Sequence, residues 1–88
     1  MQANDVARWM QAQLELEGCL YQDDVVDMLV KNKFEDHLRE NADGNQVLDK
    51  QVLDEFRKLN AETVVWVVSG MYWRFRVKED EESRIARG

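Results

Sequence analysis

Residues 63–77 read TVVWVVSGMYWRFRV, two β-branched and aromatic runs on either side of a Ser-Gly pair. Runs of this kind, too short for helices and joined by a turn dipeptide, specify a β-hairpin. Placing Ser69 and Gly70 at the tip of a two-residue primed turn fixes the register by counting outward. Val68 then faces Met71, Trp66 faces Trp73 and Val64 faces Phe75 on one side, while Val67 faces Tyr72, Val65 faces Arg74 and Thr63 faces Arg76 on the other. The first side is wholly apolar and must meet a core, because a one-residue slip would turn all of it to water. The second side leaves Val65, Val67, Tyr72, Arg74 and Arg76 outward. Strand 63–68 also lacks the Lys, Pro or inward charge that blunts an exposed edge, so it invites a partner.

The rest of the chain supplies helices to cover the apolar side. Val6, Trp9, Met10 and Leu14 recur at helical spacing, which predicts a helix over 5–17 with Asn4 as N-cap and Gly18 as its stop. CLY at 19–21 is a short apolar link with β propensity. QDDVVDMLVKN then opens with acids that suit the positive end of a helix dipole, and Val25, Val26, Met28, Leu29 and Val30 give it a broad buried face. Phe34 and Leu38 stand four apart, which predicts a shorter helix ending near Asn41, before the turn-rich NADGN at 41–45. Asp49 can cap a helix over 49–59 whose buried stripe is Val52, Leu53, Phe56 and Leu59. Its outer face carries Lys50, Asp54 and Lys58 at i,i+4 steps, read as self-neutralising pairs.

These elements make an α+β chain: three to four helices packed on a C-terminal two- or three-stranded antiparallel hairpin sheet. Helix, short strand, helix, helix and hairpin is the order of a winged helix, with 19–21 as the first strand, 49–59 as the third helix and 63–77 as the wing. The segment at 33–41 departs from the minimal plan. Residues 1–78 are thus one winged-helix-like domain, and 79–88 a charged, flexible tail in which EDEE at 79–82 could fold back on Arg74 and Arg76. The stretches VARWM, LYQDDVVDML and ENADGNQVLDKQVLDEFRKLN, followed by TVVWV and YWRFRV, resemble a family of small bacterial proteins of unknown function, known as genomic and mobile-cassette hypothetical proteins. The resemblance runs from about Val6 to Val77 and implies no activity, cofactor or catalytic residue.

Several function classes lose support from composition. The single Cys19 excludes an internal disulfide, and with the lone His37 it cannot assemble a structural zinc site, so a reducing cytoplasm fits best. No run of about 18 apolar residues spans a membrane, and no secretory leader is legible. His37 lacks a nucleophile beside it, and Cys19 lies among Glu15, Glu17, Asp23 and Asp24, which do not provide the electropositive setting that a reactive thiol requires. The acids of QDDVVD and ENADGN do not follow the calcium-loop pattern. No catalytic residue, cofactor or metal is therefore expected, and the chain reads as a non-enzyme.

Two binding readings compete. In the first, the outward hairpin face (Val65, Val67, Tyr72, Arg74, Arg76) docks a protein partner or a second copy of the chain. In the second, a winged helix contacts DNA through Lys50, Arg57 and Lys58 with the wing arginines Arg74 and Arg76. The net charge of -6 repels a duplex. The 49–59 helix is also neutral overall, since Asp49, Asp54 and Glu55 offset its bases, and the protein partner is preferred.

Overall fold

The computed structural model describes residues 1–80 and 83–86 and is an α+β arrangement in which three helices pack on one face of a sheet. Helix α1 (Ala3–Glu17) starts where Asp5 accepts a hydrogen bond from the Gln2 N–H at 2.9 Å, so Gln2 rather than Asn4 holds the cap position. It ends at Gly18, whose φ of 82° lets its N–H reach back to the Leu14 carbonyl at 2.7 Å. Val6, Met10 and Leu14 recur every four residues and are fully buried.

Strand β1 (Cys19–Tyr21) leads directly into α2 (Gln22–Lys31), which carries Asp23 and Asp24 in its first turn. Val25 and Leu29 of α2 are buried, whereas Val30 faces water. Helix α3 (Lys50–Asn60) presents Val52 and Phe56 to α1 and the sheet, with Leu53 at the margin. Leu59 was expected inside but is 46% exposed, and the buried residue at this end is Asn60. A 3.6-residue period puts 52, 56 and 60 at about 0°, 40° and 80° around the axis, so Leu59 at about -20° and Leu53 at about 100° stand at the two margins of the stripe.

The segment predicted as a short helix at 33–41 folds otherwise. Lys33 takes a left-handed φ of 62° and ends α2. A 3-10 turn follows at Glu35–His37, and β2 (Leu38–Glu40) then pairs antiparallel with β3 (Gln46–Leu48). The reason lies in the intervening loop: the Asn41 side-chain oxygen accepts from the N–H groups of Asp43 and Asn45, each at 3.0 Å. A side-chain-closed turn competes with helix for the same backbone groups and wins here. Phe34 and Leu38 still pack on the core, although not from one helix.

Strands β4 (Val64–Val67) and β5 (Tyr72–Phe75) pair in the register counted from Ser69 and Gly70, with Trp66 opposite Trp73 and Val65 opposite Arg74. The turn itself is a four-residue loop: the positive φ falls on Met71 at 52° and not on Gly70. Gly70 is needed for space, since a Cβ there would strike the Tyr72 ring. Strand β1 adds to the other edge of β5, setting Leu20 opposite Trp73.

The edge of β4, expected to be open, is occupied. The chain turns back after β5, and β6 (Ile85–Ala86) lies parallel to β4, opposite Trp66 and Val67. The sheet order is β1-β5-β4-β6. Ala86 packs on Val65 and Val67, and all three are buried as a small second core on the face expected to be outward. Residues 83–86 are thus part of the fold. The expectation of a flexible tail at 79–88 also covers residues 81, 82, 87 and 88, which lie outside the described residues.

Candidate binding cleft

Trp66 and Trp73 lie side by side on the helix-facing side of the hairpin, their rings 4.6 Å apart and tilted by 52°. Phe56 of α3 meets the Trp73 ring edge-on at 5.2 Å. Trp73 is buried beneath the helices at 4% exposure, whereas Trp66 beside it on β4 is half-buried. There α3, the β2–β3 hairpin and the sheet enclose a cleft of about 550 Å³. Its floor is Trp66, Trp73 and Phe56, and Leu48 and Leu53 line its walls.

The rim is cationic. Arg39 comes from β2, Arg57 from α3 and Arg84 from the segment before β6, with Asp54 as the acidic residue among the lining side chains. Arg84 is held firmly: it donates to the carbonyls of Asn60 (3.3 Å) and Val64 (3.2 Å) and to the Asn60 side-chain oxygen (2.8 Å). Its guanidinium lies 5.8 Å from the centre of the Phe56 ring. Burial lowers its pKa, and the neighbouring charges of Arg57 and Arg76 act in the same direction. A guanidinium so placed still stays charged at neutral pH. Among the described residues, no carboxylate pairs with Arg39, Arg57 or Arg84.

Asn60 is the keystone of this arrangement. It is 2% exposed, takes the Arg84 donor on its oxygen and donates from its nitrogen to Gln11 at 2.7 Å. Gln11 in turn donates to Glu15 at 2.9 Å. A polar relay therefore joins α1, α3 and the C-terminal segment, with each buried group satisfied.

The residues singled out from sequence are dispersed. Val65 and Val67 lie beneath Ala86 and form no surface. Tyr72 packs against Tyr21 at 5.1 Å. Arg74 makes a two-pronged ion pair with Asp80, at 2.8 and 2.9 Å, and Arg76 donates to the carbonyls of Glu62 and Ser83. The hydrogen bonds from Arg74, with that from the Val77 N–H, hold the Asp80 carboxyl down to about 2. Of the bases offered to a duplex, Lys50 is paired with Asp54 and Lys58 with Glu55, rather than both with Asp54. Arg57 alone of that set opens on the cleft. His37 is tied to the Met1 carbonyl at 2.7 Å, a packing role. Arg39 and Arg84 went unmarked in the sequence, one inside a supposed helix and the other in a supposed tail.

Among the described residues, no helix is long and apolar enough to cross a membrane. No match was found among curated proteins or solved structures. A family model covers residues 2–75, which take in every element of the cleft except the segment bearing Arg84. The chain belongs to that family, DUF6953, a family of unknown function.

Proposed function

We propose that the protein is a non-enzymatic interaction module that docks a protein partner on its aromatic hairpin, at the Trp66–Trp73 cleft. The carrying observation is the pairing of the half-buried Trp66, stacked beside Trp73, with three arginines, none of which has a carboxylate partner among the described residues. Tryptophan and arginine are the side chains that contribute most often to the energetic centre of protein interfaces. The docking place differs from the Val65–Val67 face expected from sequence, although it belongs to the same hairpin. We read the fold as a winged helix, with β1 as the third antiparallel strand and the β2–β3 hairpin inserted before α3. The lone Cys19 and the family resemblance support a bacterial cytoplasmic setting.

DNA binding is the second reading, supported by the local positive charge of Arg57 and Arg84. Ion pairing of Lys50, Lys58 and Arg74 leaves little to follow a phosphate backbone. The test is capture on the immobilised chain from lysate of cells that make it, beside Trp66→Ala and Arg8→Gln variants shown to melt cooperatively. A partner lost with Trp66→Ala and kept with Arg8→Gln is expected. A partner retained by all three overturns the cleft as the docking place.

A further inference from the structure

We infer that the cleft receives an acidic amphipathic segment of the partner, with its carboxylates on Arg39, Arg57 and Arg84 and a neighbouring apolar side chain on the Trp66–Trp73 floor. The inference rests on the docking reading above and specifies its chemistry.

Charge is the first argument. The chain as a whole carries -6, yet this cleft gathers three guanidiniums from three separate elements against Asp54. Of the bases elsewhere, Lys31 pairs with Asp27, Lys50 with Asp54, Lys58 with Glu55 and Arg74 with Asp80, whereas Arg8, Lys33 and Lys78 have no ion pair among the described residues. Arg39, Arg57 and Arg84, each without a carboxylate partner among the described residues, thus gather at one cleft beside the half-buried Trp66.

Arg84 supplies the second argument. It is pre-positioned by three hydrogen bonds to Asn60 and Val64, none from a charged acceptor. Of the five N–H donors of a guanidinium, two are left without a protein acceptor among the described residues. A partly buried cation beside Arg57 and Arg76 is a place where an incoming carboxylate gains more than it would in water. Holding the donors in place before binding also removes part of the ordering cost.

Shape separates a peptide from a small molecule. The cleft is open, and its mouth includes Ile85, which is 59% exposed. An apolar rim of this kind suits a chain that continues past the site, whereas small-molecule pockets enclose most of their ligand. A nucleic acid could stack a base on the same tryptophans, but the paired lysines leave its backbone without a track.

The decisive experiment uses the full-length protein and three fluorescein-labelled probes: an octapeptide alternating Glu and Leu, its Gln-for-Glu counterpart, and an oligo-dT of similar length. Anisotropy and tryptophan fluorescence are followed at low and high salt. The acidic peptide should bind, quench the tryptophans and weaken with salt, and the Gln peptide should bind at least about tenfold more weakly. Arg57→Gln and Arg39→Gln should each weaken the acidic peptide several-fold, while Arg8→Gln, the same charge change on the far side of α1, should not. Equal binding of the two peptides at the tryptophans overturns the acidic preference and leaves apolar docking standing. No binding of either peptide overturns both readings. Preference for oligo-dT over the acidic peptide overturns the peptide and gives the cleft to single-stranded nucleic acid.

Discussion

The two faces of the β4–β5 hairpin are built from one alternating sequence and end in opposite conditions. On the far face Val65, Val67 and Tyr72 are covered by the returning C-terminal segment, and the Arg74 cation there meets Asp80. On the near face Val64 and Trp73 are covered by helices, yet Trp66 lies at an opening whose arginines meet no carboxylate among the described residues. Apolar content does not separate them, since both are rich in it. The separating property is electrostatic completion: on the closed face Arg74 meets Asp80, and on the open face no carboxylate meets the arginines among the described residues.

The comparison can be broken most severely at Trp73, which is 4% exposed and joins β1, β4 and Phe56. Trp73→Ala should cost about 3–5 kcal/mol in urea unfolding, enough to unfold much of a small domain. Asn60→Ala comes next, with an expected loss of about 1–3 kcal/mol because Gln11 loses its donor and Arg84 one of its three acceptors. Amide exchange should show β6 opening in that variant while β1 remains protected.

Asp80→Asn tests the closed face through pH. Because its folded carboxyl sits near 2, below its unfolded value, the ion pair stabilises the wild type above the ordinary carboxylate range, and that stability is lost as pH falls from about 4 toward about 2. Thermal melts of Asp80→Asn should lack that component of the acid slope. The smallest effect is expected on the open face: Arg57→Gln should change stability by less than about 0.5 kcal/mol in the same urea series, because Arg57 has no ion pair among the described residues. A large loss there would show that the cleft arginines are structural and would dissolve the contrast.

Much of this fold is legible in the sequence because its signals are long. The helices declare themselves by period, and the hairpin register follows from two residues at its tip. Leu38–Glu40 fails as a signal because three residues carry too little alternation to outweigh the four-residue spacing of Phe34 and Leu38. Ile85 and Ala86 fail for a similar reason, since a two-residue strand beside a run of acids has no pattern of its own. The cleft was the least legible feature. Arg39, Arg57 and Arg84 are far apart in the chain, and only the turn at Asn41 and the return of the C-terminal segment bring them to one rim. Arg74 was visible as a cation but not as one already answered.

The relay through Asn60 also turns helix length into a ruler. Asn60 is the last residue of α3, and its amide must reach Gln11 on one side and Arg84 on the other. One residue added between Phe56 and Asn60 would swing that amide by about 100° and carry it about 1.5 Å along the axis. The C-terminal segment would lose its anchor while the aromatic floor stayed in place. The number of residues in α3 therefore sets where the third arginine of the rim stands, so a length change in this helix would retune the cleft without altering any residue that lines it.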